Sequence, residues 1–79
     1  MTAISDLAPG QRAVISGWVG GQPPTRLLEM GLLLGTEVEL VRFAPLGDPI
    51  DLRVRGYHLS IRRDQARQVE VELLSRTEP

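Results

Sequence analysis

The chain has 79 residues and a net charge of −1. That is enough for one domain with a thin core, since a domain of this size buries only about 60% of the surface its unfolded chain exposes. It contains no cysteine, which excludes disulfides and zinc–thiolate centres and leaves stability to aliphatic packing. The near-neutral charge, with all nine basic residues arginine, argues against a nucleic-acid binder. The N-terminus shows no signal-peptide pattern, and the longest apolar stretch, Leu32–Leu34, is far too short to span a bilayer. A cytoplasmic setting without membrane insertion is expected.

In chain order, Ile4 and Leu7 followed by Pro9-Gly10 read as a short turn that tucks two apolar residues and then reverses direction. Residues 12–19 form a first predicted strand, with Ala13 and Ile15 on one face and the face of Trp18 undecided. Gly20-Gly21-Gln22-Pro23-Pro24 ends it. Residues 25–30 then make a helix of one or two turns, with Pro24 in its first turn and Gly31 as its left-handed C′ residue, and Leu32 folds back on Leu27 or Leu28. A second strand covers 36–44. Val38 and Leu40 share one face, but Val41 and Phe43 fall on the other parity, which is how a bulge or sharp bend is written.

The clearest pattern spans 50–62. Ile50, Leu52 and Val54 alternate with polar residues, as do Tyr57, Leu59 and Ile61. With Arg55-Gly56 as a two-residue turn, Val54 meets Tyr57, Leu52 meets Leu59 and Ile50 meets Ile61, all facing inward. Residues 64–67 make one helical turn. Residues 68–73 form a last strand with Val69, Val71 and Leu73 inward, and 75–79 read as a frayed tail of the single domain 1–79. Five short strands, one short helix after the first strand and tight turns predict a mainly β fold, closed into a small barrel that removes its edges.

Reactive groups are sparse. The single histidine, His58, falls on the outer face of the hairpin opposite Arg53. With only Asp51 nearby it reads as a solvated strand residue, a weak surface metal site at most. Glu37/Glu39 and Glu70/Glu72 are spaced as solvated strand faces. Gly20-Gly21 lacks the lysine and serine or threonine of a P-loop. The arginines around the hairpin (Arg53, Arg55, Arg62, Arg63 and Arg67) are interleaved with acids and lack stacking aromatics. The reading is no enzyme, no catalytic residue, no dedicated metal site and no cofactor.

Leu27-Leu28-Glu29-Met30-Gly31, Gly35-Thr36-Glu37-Val38, residues 41–50 around Ala44-Pro45-Leu46-Gly47-Asp48-Pro49, and Arg55-Gly56-Tyr57-His58-Leu59-Ser60-Ile61-Arg62 together resemble the FeoA family, as does the opening Leu7-Ala8-Pro9-Gly10-Gln11. The likeness runs from about Ile4 to Val71. It implies a Src-homology-3-like (SH3-like) barrel and an accessory role in ferrous iron uptake beside the cytosolic GTPase domain of the FeoB transporter. The second reading is a stand-alone regulatory or divalent-metal-sensing barrel, a role similar barrels have when fused to DNA-binding domains; no such fusion is expected here. Leu34 stands where the family usually has proline, a change worth about 0.4–1 kcal/mol of preorganisation. Three scattered aromatics, with Tyr57 inward, do not line a proline-peptide groove.

Two regions present themselves for a partner. In the 45–49 loop, Pro49 holds Asp48 extended and the stiff loop lowers the entropic cost of docking; Leu46 near its tip is either a partner anchor or a plug for one end of the barrel. On the helix, Arg26 and Glu29 are exposed, and Met30 either reaches the partner or helps lid the barrel. Arg26, Met30, Leu46 and Asp48 are the expected partner-binding residues. The residues carry no signal for or against self-association.

Overall fold

Side chains that alternate along short strands can be buried only if the sheet bends around them. The computed structural model, which describes residues 2–74, shows how this chain does so. Six antiparallel strands form one sheet in the order β1-β6-β2-β3-β4-β5: β1 Thr2–Ala3, β2 Arg12–Trp18, β3 Glu37–Phe43, β4 Ile50–Val54, β5 Tyr57–Ile61 and β6 Val69–Leu73. Two short α-helices, α1 Thr25–Glu29 and α2 Arg63–Ala66, and a 3-10 turn at Ile4–Asp6 interrupt them. The expected tail 75–79 lies outside the described residues.

The two bends are register shifts. In β2 the pairing with β6 slips between Ile15 and Gly17. This turns Trp18 to the same side as Ala13 and Ile15, and all three are buried. In β3 the pairing with β4 slips between Leu40 and Arg42, where the sequence parity changes. Val38 and Leu40 are fully buried before the shift, and Phe43 packs against the core after it.

The β4–β5 hairpin has the expected register, Val54↔Tyr57, Leu52↔Leu59 and Ile50↔Ile61. Arg55 and Gly56 both take positive φ, 48° and 88°, the backbone of a type I′ turn that suits twisted strands. Helix α1 ends as its residues require. The Gly31 N–H donates to the Leu28 carbonyl at 3.0 Å and the Leu32 N–H to the Leu27 carbonyl at 3.1 Å, a Schellman cap with Gly31 at φ 97°. Leu27 and Leu32, the apolar pair of that cap, are both in the core.

Five expectations need correcting. The sheet does not close into an edgeless barrel: its strand order ends at β1 and β5, which do not pair with each other. The sheet has six strands rather than five: Thr2–Ala3, too short to show periodicity, pairs with β6. Pro24 is the N-cap of α1 rather than part of its first turn. Leu73 is half exposed, because it pairs with Ala13 at a level that β1, ending against Val71, does not reach. Tyr57 shares the inner face with Val54 but is 42% exposed rather than buried; its hydroxyl needs a polar partner and donates to the Met30 carbonyl at 2.6 Å.

That phenol lies directly over Gly31, where a Cβ would collide with the Tyr57 hydroxyl. Gly31→Ala is therefore expected to lose about 1–2 kcal/mol from its left-handed backbone, plus the cost of displacing the phenol. In urea unfolding, the same substitution in a Tyr57→Phe background should cost less, because only the backbone component remains.

Candidate functional site

The loop between β3 and β4 is held from one side. Its backbone closes on itself, Gly47 N–H to the Ala44 carbonyl at 2.7 Å and Ala44 N–H to the Pro49 carbonyl at 3.0 Å, and the Asp48–Pro49 bond is cis. Arg63, at the start of α2, supplies the external bonds. Its backbone N–H donates to Asp48 Oδ1 at 3.0 Å, its Nη2 donates to the Gly47 carbonyl at 2.9 Å, and its guanidinium lies 5.2 Å from the centre of the Phe43 ring. This arrangement engages the Gly47 carbonyl and the Asp48 carboxylate and leaves Leu46 outward. Leu46 is 96% exposed, so the plug reading fails and the residue stands free at the tip.

Asp48 is thus an anchor of the loop as much as part of its surface, since one carboxylate oxygen is already engaged. Sequence reasoning did not find Arg63. It is 15 residues from Asp48, and only the folded hairpin brings the two together.

The helical residues lie elsewhere. Arg26 and Glu29 are exposed, Leu27 is buried and Met30 is half-buried. Tyr57 fixes the end of α1 at the turn end of the β4–β5 hairpin, whereas Arg63 fixes the Leu46 loop just beyond Ile61, at the other end. A five-residue strand spans about 16 Å. Leu46 and Asp48 therefore form one group, Arg26 and Met30 a second, and the tethers hold the groups at opposite ends of the hairpin. Beside Met30, Leu33 and Leu34 are also exposed, an apolar surface not singled out from the sequence because the three leucines read as a helix stop and a turn.

The outer face of the sheet is charged, and its strand residues pair with one another. Arg12 pairs with Glu37 at 3.1 Å and Arg53 with Glu39 at 3.5 Å, and an open depression there is lined by these residues, Arg55 and Gly56. Exposed pairs of this kind contribute about 0–1 kcal/mol each and offer no activated group. His58 sits opposite Arg53, as expected. Among the described residues no three His, Cys, Asp or Glu side chains gather as a metal site, and no helix is long and apolar enough to cross a membrane.

A family model described as the FeoA domain matches residues 2–73. The chain belongs to the FeoA family. A fusion of Fe(2+) transport protein A with the Fe(2+) transporter FeoB from Porphyromonas gingivalis is 42% identical over 73 residues, covering 91% of this chain but 9% of that protein. The solution structure of FeoA from Chlorobium tepidum is 35% identical with a TM-score of 0.83, over 98% of this chain and 74% of that one. A crystal structure of Stenotrophomonas maltophilia FeoA complexed with zinc, described as a prokaryotic SH3 domain protein, is 26% identical with a TM-score of 0.75 and covers 91% of each chain. The expected SH3-like fold and the place of the family in ferrous iron transport are borne out. FeoA is a family of small accessory domains, not of enzymes.

Within this FeoA domain the Asp51 carboxyl is held in its ionised form by its neighbours. The Ser60 hydroxyl, donating at 2.7 Å, and the Arg42 guanidinium at 3.0 Å hold its carboxyl below the ordinary value of 3.8. A carboxylate with a depressed folded pKa stabilises the fold above its unfolded pKa and loses that contribution as pH falls through the folded one. Asp51→Asn should therefore unfold at a lower temperature than the parent at neutral pH, and the gap should close on acidification below pH 3.8. Thermal unfolding followed by circular dichroism across that range checks it.

Proposed function

We propose that this chain is a cytoplasmic accessory domain of ferrous iron uptake that binds the cytosolic GTPase region of a FeoB-type transporter and supports transport. The observation that carries this is the Porphyromonas gingivalis relative, in which a FeoA sequence and FeoB are one polypeptide. Joining two partners raises their effective concentration without any new contact, and selection for such a joint fits two units that act in physical association.

The Leu46 loop suits the role of anchor. A fully exposed leucine on a loop already fixed by Arg63 loses little freedom on docking, and preorganised apolar anchors seated in a partner pocket are where interface energy concentrates. Asp48 adds a polar rim to that anchor. Arg26 and Met30 provide a second contact at the far end of the hairpin, so the proposed partner wraps the domain rather than touching one spot.

The alternative of a stand-alone metal-sensing barrel draws on the zinc complex of the Stenotrophomonas relative. The joining of a FeoA sequence to FeoB in one polypeptide favours transporter binding over that alternative.

Leu46→Asp tests it. An exposed substitution leaves stability within about 0.5 kcal/mol, so the variant should unfold with the parent. Loss of an anchor costs about 2 kcal/mol or more, which calorimetry with the transporter's cytosolic domain would read as roughly 30-fold weaker binding. Iron uptake in cells supplied only with the variant should fall in parallel. Unchanged affinity in the folded variant would remove Leu46 from the interface.

A further inference from the structure

Strand β5 is an edge of the sheet, because the strand order ends with it. The parity of the hairpin decides what that edge offers. In a two-residue hairpin the residues flanking the turn form a hydrogen-bonded pair, and such pairs alternate with non-bonded ones. Val54–Tyr57, Leu52–Leu59 and Ile50–Ile61 are therefore the bonded pairs, and the N–H and C=O groups of His58 and Ser60 point away from β4. No backbone bond from another described segment reaches them. The opposite edge of the sheet, β1, is two residues long, so β5 is the longer open template.

Side chains around this edge define what would pair with it. On the outer face His58, Ser60 and Arg62 are exposed, and Arg55 is exposed in the turn before them. The ion pairs among the described residues use Arg12, Arg42, Arg53 and Arg67, leaving Arg55 and Arg62 without a carboxylate partner among those residues. The nearby acids are already engaged: Asp51, opposite Ser60, by Ser60 and Arg42, Glu37 and Glu39, which share a depression with Arg55, by Arg12 and Arg53, and Asp64 by Arg67. On the inner face Tyr57 is exposed and Leu59 half-buried, whereas their partner strand is sealed at Val54 and Leu52. The edge is thus cationic on one side and apolar on the other.

We propose that the open edge of β5 accepts an extended acidic segment of a partner protein as an added antiparallel strand. Alternate carboxylates of that segment lie toward Arg55, His58 and Arg62, and the intervening apolar residues lie over Tyr57 and Leu59. Strand addition of this kind draws affinity from main-chain bonds and specificity from alternate side chains, and long open edges are the surfaces on which it occurs. A second copy fits poorly. Two β5 strands related by a two-fold axis at Leu59 would bring Arg62 of each beside Arg55 of the other, and like charges across strands repel. The site uses none of the residues assigned above to the transporter interface, so it stands or falls separately.

The test uses the full chain, labelled with nitrogen-15, and a blocked peptide alternating glutamate and valine over seven residues. Its counterparts carry glutamine for glutamate, or N-methyl groups on the amides that would face β5. The amides of His58, Leu59 and Ser60 are expected to shift on titration, with slowed hydrogen exchange at His58 and Ser60. N-methylation should abolish binding. The glutamine peptide, and the acidic peptide with an Arg55→Asn/Arg62→Gln variant, should bind about threefold to tenfold more weakly, as the loss of two or three exposed ion pairs implies. No shifts at millimolar peptide, shifts confined to β1 or the Leu46 loop, or equal affinity for the acidic and glutamine peptides would each overturn the proposal.

Discussion

At Ser16–Gly17 in β2 and at Val41 in β3 one extra residue shifts the pairing, and the side chains that follow change face. The enclosure of the core depends on these two shifts. Without them, Trp18 and Phe43 would point to solvent and the six strands would form a flat ribbon with one wet and one dry side. With them, the sheet curls until Ile4, Leu27, Leu32 and the strand residues share one core. A bulge increases local twist at the cost of one unpaired residue. For a chain with no cysteine to staple it, curvature is the available route to an enclosed interior. Gly17 sits within the bend opposite Glu70 of β6, and a Cβ there would lie 3.1 Å from Glu70 Oε1, so a larger residue would press on that carboxylate.

Enclosure by curling leaves the connections to be fixed one at a time, and single side chains do it. Arg63 serves the loop after β3 with both its backbone and its guanidinium. Tyr57 serves the segment after α1 with its hydroxyl. In each case a polar group reaches across from the end of β5 to a backbone atom of another loop. Exposed loops held this way keep their shape without adding to the core, which is the property a docking surface needs.

What the sequence made legible follows from range. The β4–β5 hairpin was readable because ten alternating residues and a two-residue turn specify their own register. The cap of α1 was readable because Gly31 and Leu32 sit next to the helix they close. The parity change at Val41 announced its bulge. The bulge at Gly17 did not, since Ser16 and Gly17 carry no apolar residue to mark a change of face, and so Trp18 could not be assigned. Thr2–Ala3 pairs with residues almost 70 positions away, beyond any local pattern. Leu46 was ambiguous, and Tyr57 was expected to be buried, for a related reason: an apolar residue at the end of an element is covered or exposed according to what arrives from elsewhere, and Arg63 and Met30 arrive from distant segments. The candidate site was therefore legible as residue types on a loop and a helix, but not as a geometry.

The pairing of Thr2 with Val71 has a topological consequence. Adjacent strands are separated by about 4.8 Å, so the first and last strands put the start and finish of the folded unit at a single corner. Any polypeptide continuing from either side departs from that corner, and the remainder of the surface stays uncovered. Such a unit can be grafted onto a larger protein through one tether without re-threading its sheet.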